Sequence, residues 1–128
     1  MMTTVHEWLS AAEYVLSAGG RDLVLCERGI RTFEDATRNT LDLNTGVLLK
    51  QRTHLPVIVD PSHACGDAHL VAALCRAAVA AGADGLLVEV HVDPRLALSD
   101  GAQSLDPAAF REAMAACRAV AAAVGREV

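Results

Sequence analysis

Val57-Ile58-Val59-Asp60-Pro61-Ser62-His63 decides how this chain is built. Three β-branched residues in a row, introduced by Pro56, are too few for a helix and apolar on both sides. That pattern fits a strand covered on both faces, as in a parallel sheet. Asp60-Pro61 closes the run, and His63 follows within one turn. Leu23-Val24-Leu25-Cys26 upstream and Gly85-Leu86-Leu87-Val88 downstream have the same character. Helical patterns separate and flank them. Thr4 to Gly20 opens with a capping box of Thr4 and Glu7 and repeats Val5, Trp8, Leu9, Ala12, Val15 and Leu16 at helical spacing. Glu27 to Asn39 is polar, and Thr40 to Lys50 is a looser, partly apolar stretch. A helix is expected from about Ala68 to Ala81, stopped by Gly82. The last helix has Asp106 as N-cap, Pro107 at its first position and Gly125 beyond its end. Its apolar stripe reads Phe110, Met114, Cys117, Val120 and Val124.

Strands and helices that alternate in this way imply parallel strands joined by crossovers. Two architectures satisfy the order: an open doubly wound sheet, or part of a (β/α)8 barrel. Neither a GxGxxG stretch nor a P-loop is present to favour the first.

The 128 residues are 52% hydrophobic, enough to offset chain entropy and exclude disorder as the main state, and form one domain over residues 1–128. With 3% aromatic residues, the core must be aliphatic. The net charge of -5 and the absence of a clustered basic patch argue against a nucleic-acid partner. No apolar run approaches the ~20 residues of a membrane span, and the first residues carry no basic targeting region. Cys26, Cys65, Cys75 and Cys117 form no CxxC pair, which fits a reducing, cytoplasmic setting.

Each expected strand ends in polar groups: Glu27-Arg28, Asp60 to His63, and Glu89-Val90-His91. In parallel α/β folds, these carboxyl ends line the active site, although strand ends are also where chains meet water. His63, Glu89 and Asp100 would make a mixed nitrogen and oxygen ligand set for a divalent cation. His91 is a possible substitute. His6, His54 and His69 read as surface residues, and Cys65 as a small buried or rim thiol. Arg28, Arg31 and Arg38 follow the first strand. Guanidinium groups there suit phosphate or carboxylate capture. The alternative is a solvated loop in which Arg28 and Arg31 pair with Glu27, Glu34 and Asp35.

Leu25-Cys26-Glu27-Arg28-Gly29-Ile30-Arg31-Thr32-Phe33-Glu34 and Thr37-Arg38-Asn39-Thr40-Leu41-Asp42 resemble a signature of the 3-deoxy-D-arabino-heptulosonate-7-phosphate (DAHP) synthases. His54 to His63, Val88 to His91, and Ser99-Asp100-Gly101-Ala102-Gln103-Ser104-Leu105 are similar to three further segments of that family, in order and spacing. The resemblance implies the carboxyl-terminal part of a (β/α)8 TIM barrel, with its last three strands and their helices. It also implies condensation of phosphoenolpyruvate with erythrose 4-phosphate to give DAHP and phosphate, at the head of the shikimate pathway. A divalent metal ion (Mn, Fe, Co or Zn) would be held by His63, Glu89 and Asp100, which are the expected catalytic residues. Arg28 would bind phosphoenolpyruvate, and Arg31 and Glu27 are further substrate-binding candidates.

A complete barrel takes eight strands and typically ~250 residues. The family's Gly-Pro-Cys segment, which brings a fourth ligand, and its Lys-Pro-Arg-Thr and Lys-Arg-Gly stretches do not occur in these 128 residues. The expectation is an incomplete chain, inactive alone, that forms homo-oligomers or pairs with an amino-terminal barrel portion. The alternatives are a non-catalytic remnant or assembly module, and the related octulosonate-phosphate synthase. The wording of Ile30 to Glu34 and of Asp60 to His63 argues against the latter.

Overall fold

The computed structural model describes residues 2–128. Helix α1 (Val5–Ser17) starts at the expected capping box: the Glu7 amide donates to Thr4 Oγ1 and the Thr4 amide to Glu7 Oε2. Strand β1 (Leu25–Glu27), helix α2 (Leu43–Arg52), strand β2 (Val57–Val59), helix α3 (Pro61–Cys65), helix α4 (Ala68–Ala80), strand β3 (Gly85–Leu86) and helix α5 (Pro107–Ala123) follow. Two 3-10 turns, Pro94–Leu96 and Gly101–Gln103, lie between β3 and α5. The three strands form one parallel sheet in the order β1-β2-β3. The fold is therefore α/β, and the carboxyl ends of all three strands lie along one edge.

Two apolar clusters support the sheet. Ala12 of α1, Leu49 of α2, and Leu55 pack with Leu25 and Val57. Val71 and Cys75 of α4 pack with Ala113, Cys117 and Ala121 of α5 and with Leu105. The strands are covered on one face only: Leu25, Val57 and Val59 are buried, while Cys26 and Ile58, pointing the other way, are half-buried. The expectation of strands buried on both faces is corrected to this extent. Among the described residues, none covers that second face fully.

Other differences have local causes. The loose stretch from Thr40 to Lys50 contains most of α2, which Asp42 caps by accepting from the Thr45 amide at 3.1 Å. The strand expected over Gly85 to Val88 keeps ladder pairing only at Gly85 and Leu86, plus a Leu87 amide bond to the Val59 carbonyl. Among the described residues no further strand pairs beyond it, apart from a single parallel bridge of Val90 with Leu105. On α5 the buried line is Ala113, Cys117 and Ala121, with Phe110, Met114 and Val120 half-buried and Val124 exposed. Alanines let α5 approach α4 closely. Phe110 and Met114 turn toward β3, where with Leu86, Val88 and Val90 they line an apolar groove of about 350 Å3. No helix among the described residues is long and apolar enough to cross a membrane.

Candidate functional site

The site gathers at the carboxyl edge of the sheet. Asp60 ends β2 and caps α3, with Pro61 at the first helical position, where a missing N–H costs nothing. Asp60 Oδ1 accepts from the His63 amide at 3.0 Å, and its Oδ2 lies 2.7 Å from His63 Nδ1. A fully buried carboxylate at that distance accepts a hydrogen bond from Nδ1–H, leaving the Nε2 lone pair for a ligand. Nε2 points to Glu89, 3.2 Å from Oε1. The Glu89 amide donates to Ser62 Oγ at 3.1 Å, so α3 also positions the segment that follows β3. Asp100 reaches the same place from the turn before Gly101–Gln103. One ligand atom each from His63, Glu89 and Asp100 lie within 4.8 Å of one another. One imidazole nitrogen and two carboxylates fit a borderline or hard divalent cation, whose charge offsets the cost of bringing two acids together.

Arg28, just beyond β1, stands over the same edge with its Nε 3.4 Å from Asp60 Oδ2 and nearly half its side chain exposed. Asp60 thus holds both the imidazole and the guanidinium. It was visible in the sequence as a strand-end charge, but not as a site residue. Its position before Pro61, as an N-cap with His63 three residues on, is the signal that marks it. Glu27 is buried at 3% exposure, with Oε1 accepting from the Gly29 amide at 2.9 Å and Oε2 without a partner. Burial pushes its carboxyl above the usual range, against the lowering effect of the Gly29 bond.

Arg31 is not drawn into this cluster. It lies exposed on the loop and forms no ion pair among the described residues. The pairing of Arg28 and Arg31 with Glu27, Glu34 and Asp35 does not form either: Arg28 goes to Asp60, and Glu34 caps the amides of Asp35 and Ala36. His91 accepts the Asp93 amide through Nδ1 at 3.1 Å, which fixes a turn and leaves it outside the ligand group. Cys65 is buried, its Sγ 3.3 Å from the Asp67 carbonyl, and desolvation raises its pKa, so it is a core thiol. His6, His54 and His69 are on the surface. Arg38, grouped in the sequence with Arg28 and Arg31 as suited to anion capture, instead bonds Asp100 Oδ1 at 3.2 Å and Gln103 Oε1 at 2.9 Å.

Comparison with known proteins adds the family. A phospho-2-dehydro-3-deoxyheptonate aldolase of Thermotoga maritima is 50% identical over 127 residues, covering 99% of this chain and 38% of that protein. A crystal structure of a Thermotoga maritima phospho-2-dehydro-3-deoxyheptonate aldolase (DAHP synthase) superposes with a TM-score of 0.97 over 99% of this chain and 38% of that one. A truncated form of the Thermotoga maritima 3-deoxy-D-arabino-heptulosonate 7-phosphate synthase gives the same score, with 48% of its chain covered. A 2-dehydro-3-deoxyphosphooctonate aldolase of Desulfosudis oleivorans is 36% identical over 104 residues, 73% of this chain and 37% of that protein. The chain therefore spans less than half the length of each of these relatives. A family profile described as "DAHP synthetase I family" matches residues 1–124, and the chain belongs to that family.

Proposed function

We propose that this chain carries the metal-holding and phosphoenolpyruvate-binding rim of a DAHP synthase, as the carboxyl-terminal part of a (β/α)8 barrel. The observation that carries this reading is the meeting of His63, Glu89 and Asp100 within 4.8 Å, on the same sheet edge as Arg28. The 50% identity over nearly the whole chain supports a heptulosonate product over an octulosonate one, for which the identity is 36% over a shorter span.

In this reading, phosphoenolpyruvate condenses with erythrose 4-phosphate and water to give DAHP and inorganic phosphate. His63 Nε2, Glu89 and Asp100 would hold a divalent ion such as manganese, iron, cobalt or zinc, which when bound supplies Lewis-acid polarisation of an aldehyde or activation of water. Arg28 offers its outward N–H groups to the phosphate or carboxylate of phosphoenolpyruvate, while Nε stays on Asp60. Asp60 keeps that guanidinium and the His63 ring in fixed relation, so that less orientation is lost when substrate arrives. Glu27, buried with its Oε2 unpartnered, is a further candidate for contact with the substrate. Arg31 is exposed and sits apart from this group, which weighs against a direct part in binding.

The other parts of a cooperative site would come from an amino-terminal barrel portion in the same or another chain, the proposed partner along with a second copy. Losing one preorganised donor can cost ~100-fold or more in rate, so the 128 residues alone are proposed to be inactive. The test is DAHP formation by the purified chain, alone and after addition of residues upstream of the matching region from a full-length relative. Activity only in the mixture supports the reading. No activity in either condition, with no metal uptake, supports a non-catalytic remnant instead.

A further inference from the structure

We propose that Arg38 is a positioning residue for Asp100, and that it sets the strength of the divalent-cation site. The inference rests on the reading of His63, Glu89 and Asp100 as that site, and it concerns a residue outside the ligand set.

Asp100 stands apart from the other aspartates that precede helical turns. Asp42, Asp60, Asp67, Asp93 and Asp106 each accept a following backbone amide through the side chain. Asp100 makes no such bond. Among the described residues it is also the one non-glycine with positive φ, at 54°. Aspartate tolerates this left-handed conformation better than most residues, but the usual local capping bond is missing. The carboxylate is free of its own backbone, and its direction has to be set from elsewhere.

Arg38 sets it. Its Nη1 has two hydrogens and two acceptors, Asp100 Oδ1 at 3.2 Å and Gln103 Oε1 at 2.9 Å. Gln103 is buried at 3% exposure, so the second acceptor is a fixed point. The base of Arg38 is equally fixed. Its amide donates to the Cys65 carbonyl at 3.2 Å, and the Asn39 amide donates to the Ala64 carbonyl at 2.8 Å. Asn39 Nδ2 reaches the His63 carbonyl at 3.3 Å. Gly66, with φ 71°, makes room: a Cβ there would lie 2.8 Å from the Arg38 Cβ. Residues 38 and 39 are thus fastened to the helix that carries His63, and one arginine side chain spans from that helix to Asp100. With Oδ1 held, the direction of the carboxylate toward His63 and Glu89 is set.

The sign of the effect separates positioning from simple charge. A guanidinium near a cation site repels the ion, so if Arg38 acted only through its charge, removing it would tighten binding. If it positions Asp100, removing it weakens binding by the ~10–100-fold typical of residues that orient metal ligands. The experiment is a titration of the full chain with Mn2+, read by the loss of the free-ion electron paramagnetic resonance signal, with thermal unfolding as a check on folding. The expected result is that Arg38→Ala binds Mn2+ about 10–100-fold more weakly at an unchanged unfolding midpoint. Unchanged or tighter binding overturns the proposal. If Arg38→Ala does not fold, Gln103→Met keeps the charge but removes the acceptor that aims Nη1; weaker binding again supports the proposal, and equal or tighter binding overturns it. Wild-type binding that His63→Ala abolishes but Arg38→Ala leaves intact removes the role of Arg38 alone. Failure of the wild-type chain to take up Mn2+ removes the cation site and this inference together.

Discussion

Asp60 and His63 are joined twice: one carboxylate oxygen accepts the His63 amide at 3.0 Å, and the other lies 2.7 Å from its ring nitrogen Nδ1. The same second oxygen meets Arg28 Nε at 3.4 Å. A buried acid that caps a helix, fixes an imidazole tautomer and faces an arginine couples all three by short bonds.

Asp60→Asn should therefore affect binding more than folding. The amide keeps the volume and can still cap α3 through its oxygen, but its NH2 group faces Nδ1 and cannot accept from Nδ1–H. Divalent-cation affinity is expected to fall by roughly 10–100-fold, as for other groups that orient ligating histidines. Titration with Mn2+ checks this, and unchanged affinity would show that the tautomer is set in some other way.

The two halves of the proposed chemistry should separate by mutation. In an assembled enzyme containing this chain, His63→Ala should abolish metal-dependent DAHP formation. Arg28→Ala should instead raise the KM for phosphoenolpyruvate by 10-fold or more, since a charge-assisted bond contributes roughly 1.5–3 kcal/mol. Steady-state kinetics with each substrate varied in turn would measure both, and a higher KM for erythrose 4-phosphate alone would reassign Arg28.

Glu27→Gln should raise the thermal midpoint at pH 7. Burial raises the Glu27 carboxyl above its ordinary 4.5, so the folded protein holds that proton more tightly than the unfolded chain does. The wild type then loses stability as pH rises from about 4.5 through the higher folded value, and the full cost is present above it. Glutamine does not titrate, so its advantage should vanish below that window. Differential scanning calorimetry from pH 3.5 to 7.5 would show the two midpoints converging on the acid side.

The 128-residue chain by itself should associate. Among the described residues no strand pairs with the outer edges of β1 and β3, and Leu87, Val90, Val92, Leu96 and Leu98 are exposed beyond β3. Unpaired strand edges beside apolar surface favour dimers, exchanged elements or aggregates. Sedimentation velocity at micromolar concentration checks this; a clean monomer with sharp thermal unfolding is the contrary result.

Val57-Ile58-Val59, the Thr4–Glu7 capping box and the Asp106-Pro107 start of α5 were legible from residue order because each depends on neighbours within one turn or one short run. The meeting of His63 and Glu89 was also legible, because a parallel sheet sends every strand's carboxyl end to the same edge, whereas Asp100, in the turn before Gly101–Gln103, joined them only through the family resemblance. Helix α2 was not. Its Asn44-Thr45-Gly46 start has low helix propensity, and the helix is held by Leu49, fully buried against Leu25, Leu55 and Val57. Helix α3 is too short at five residues to show a period. The turn of Arg28 toward Asp60 rather than the nearby Glu34, and the capture of Asp100 by Arg38 from 62 residues away, needed three dimensions. Pattern along a chain encodes contacts between near neighbours, whereas the partner a charged side chain takes is decided by which groups the packed sheet and helices bring within bonding distance.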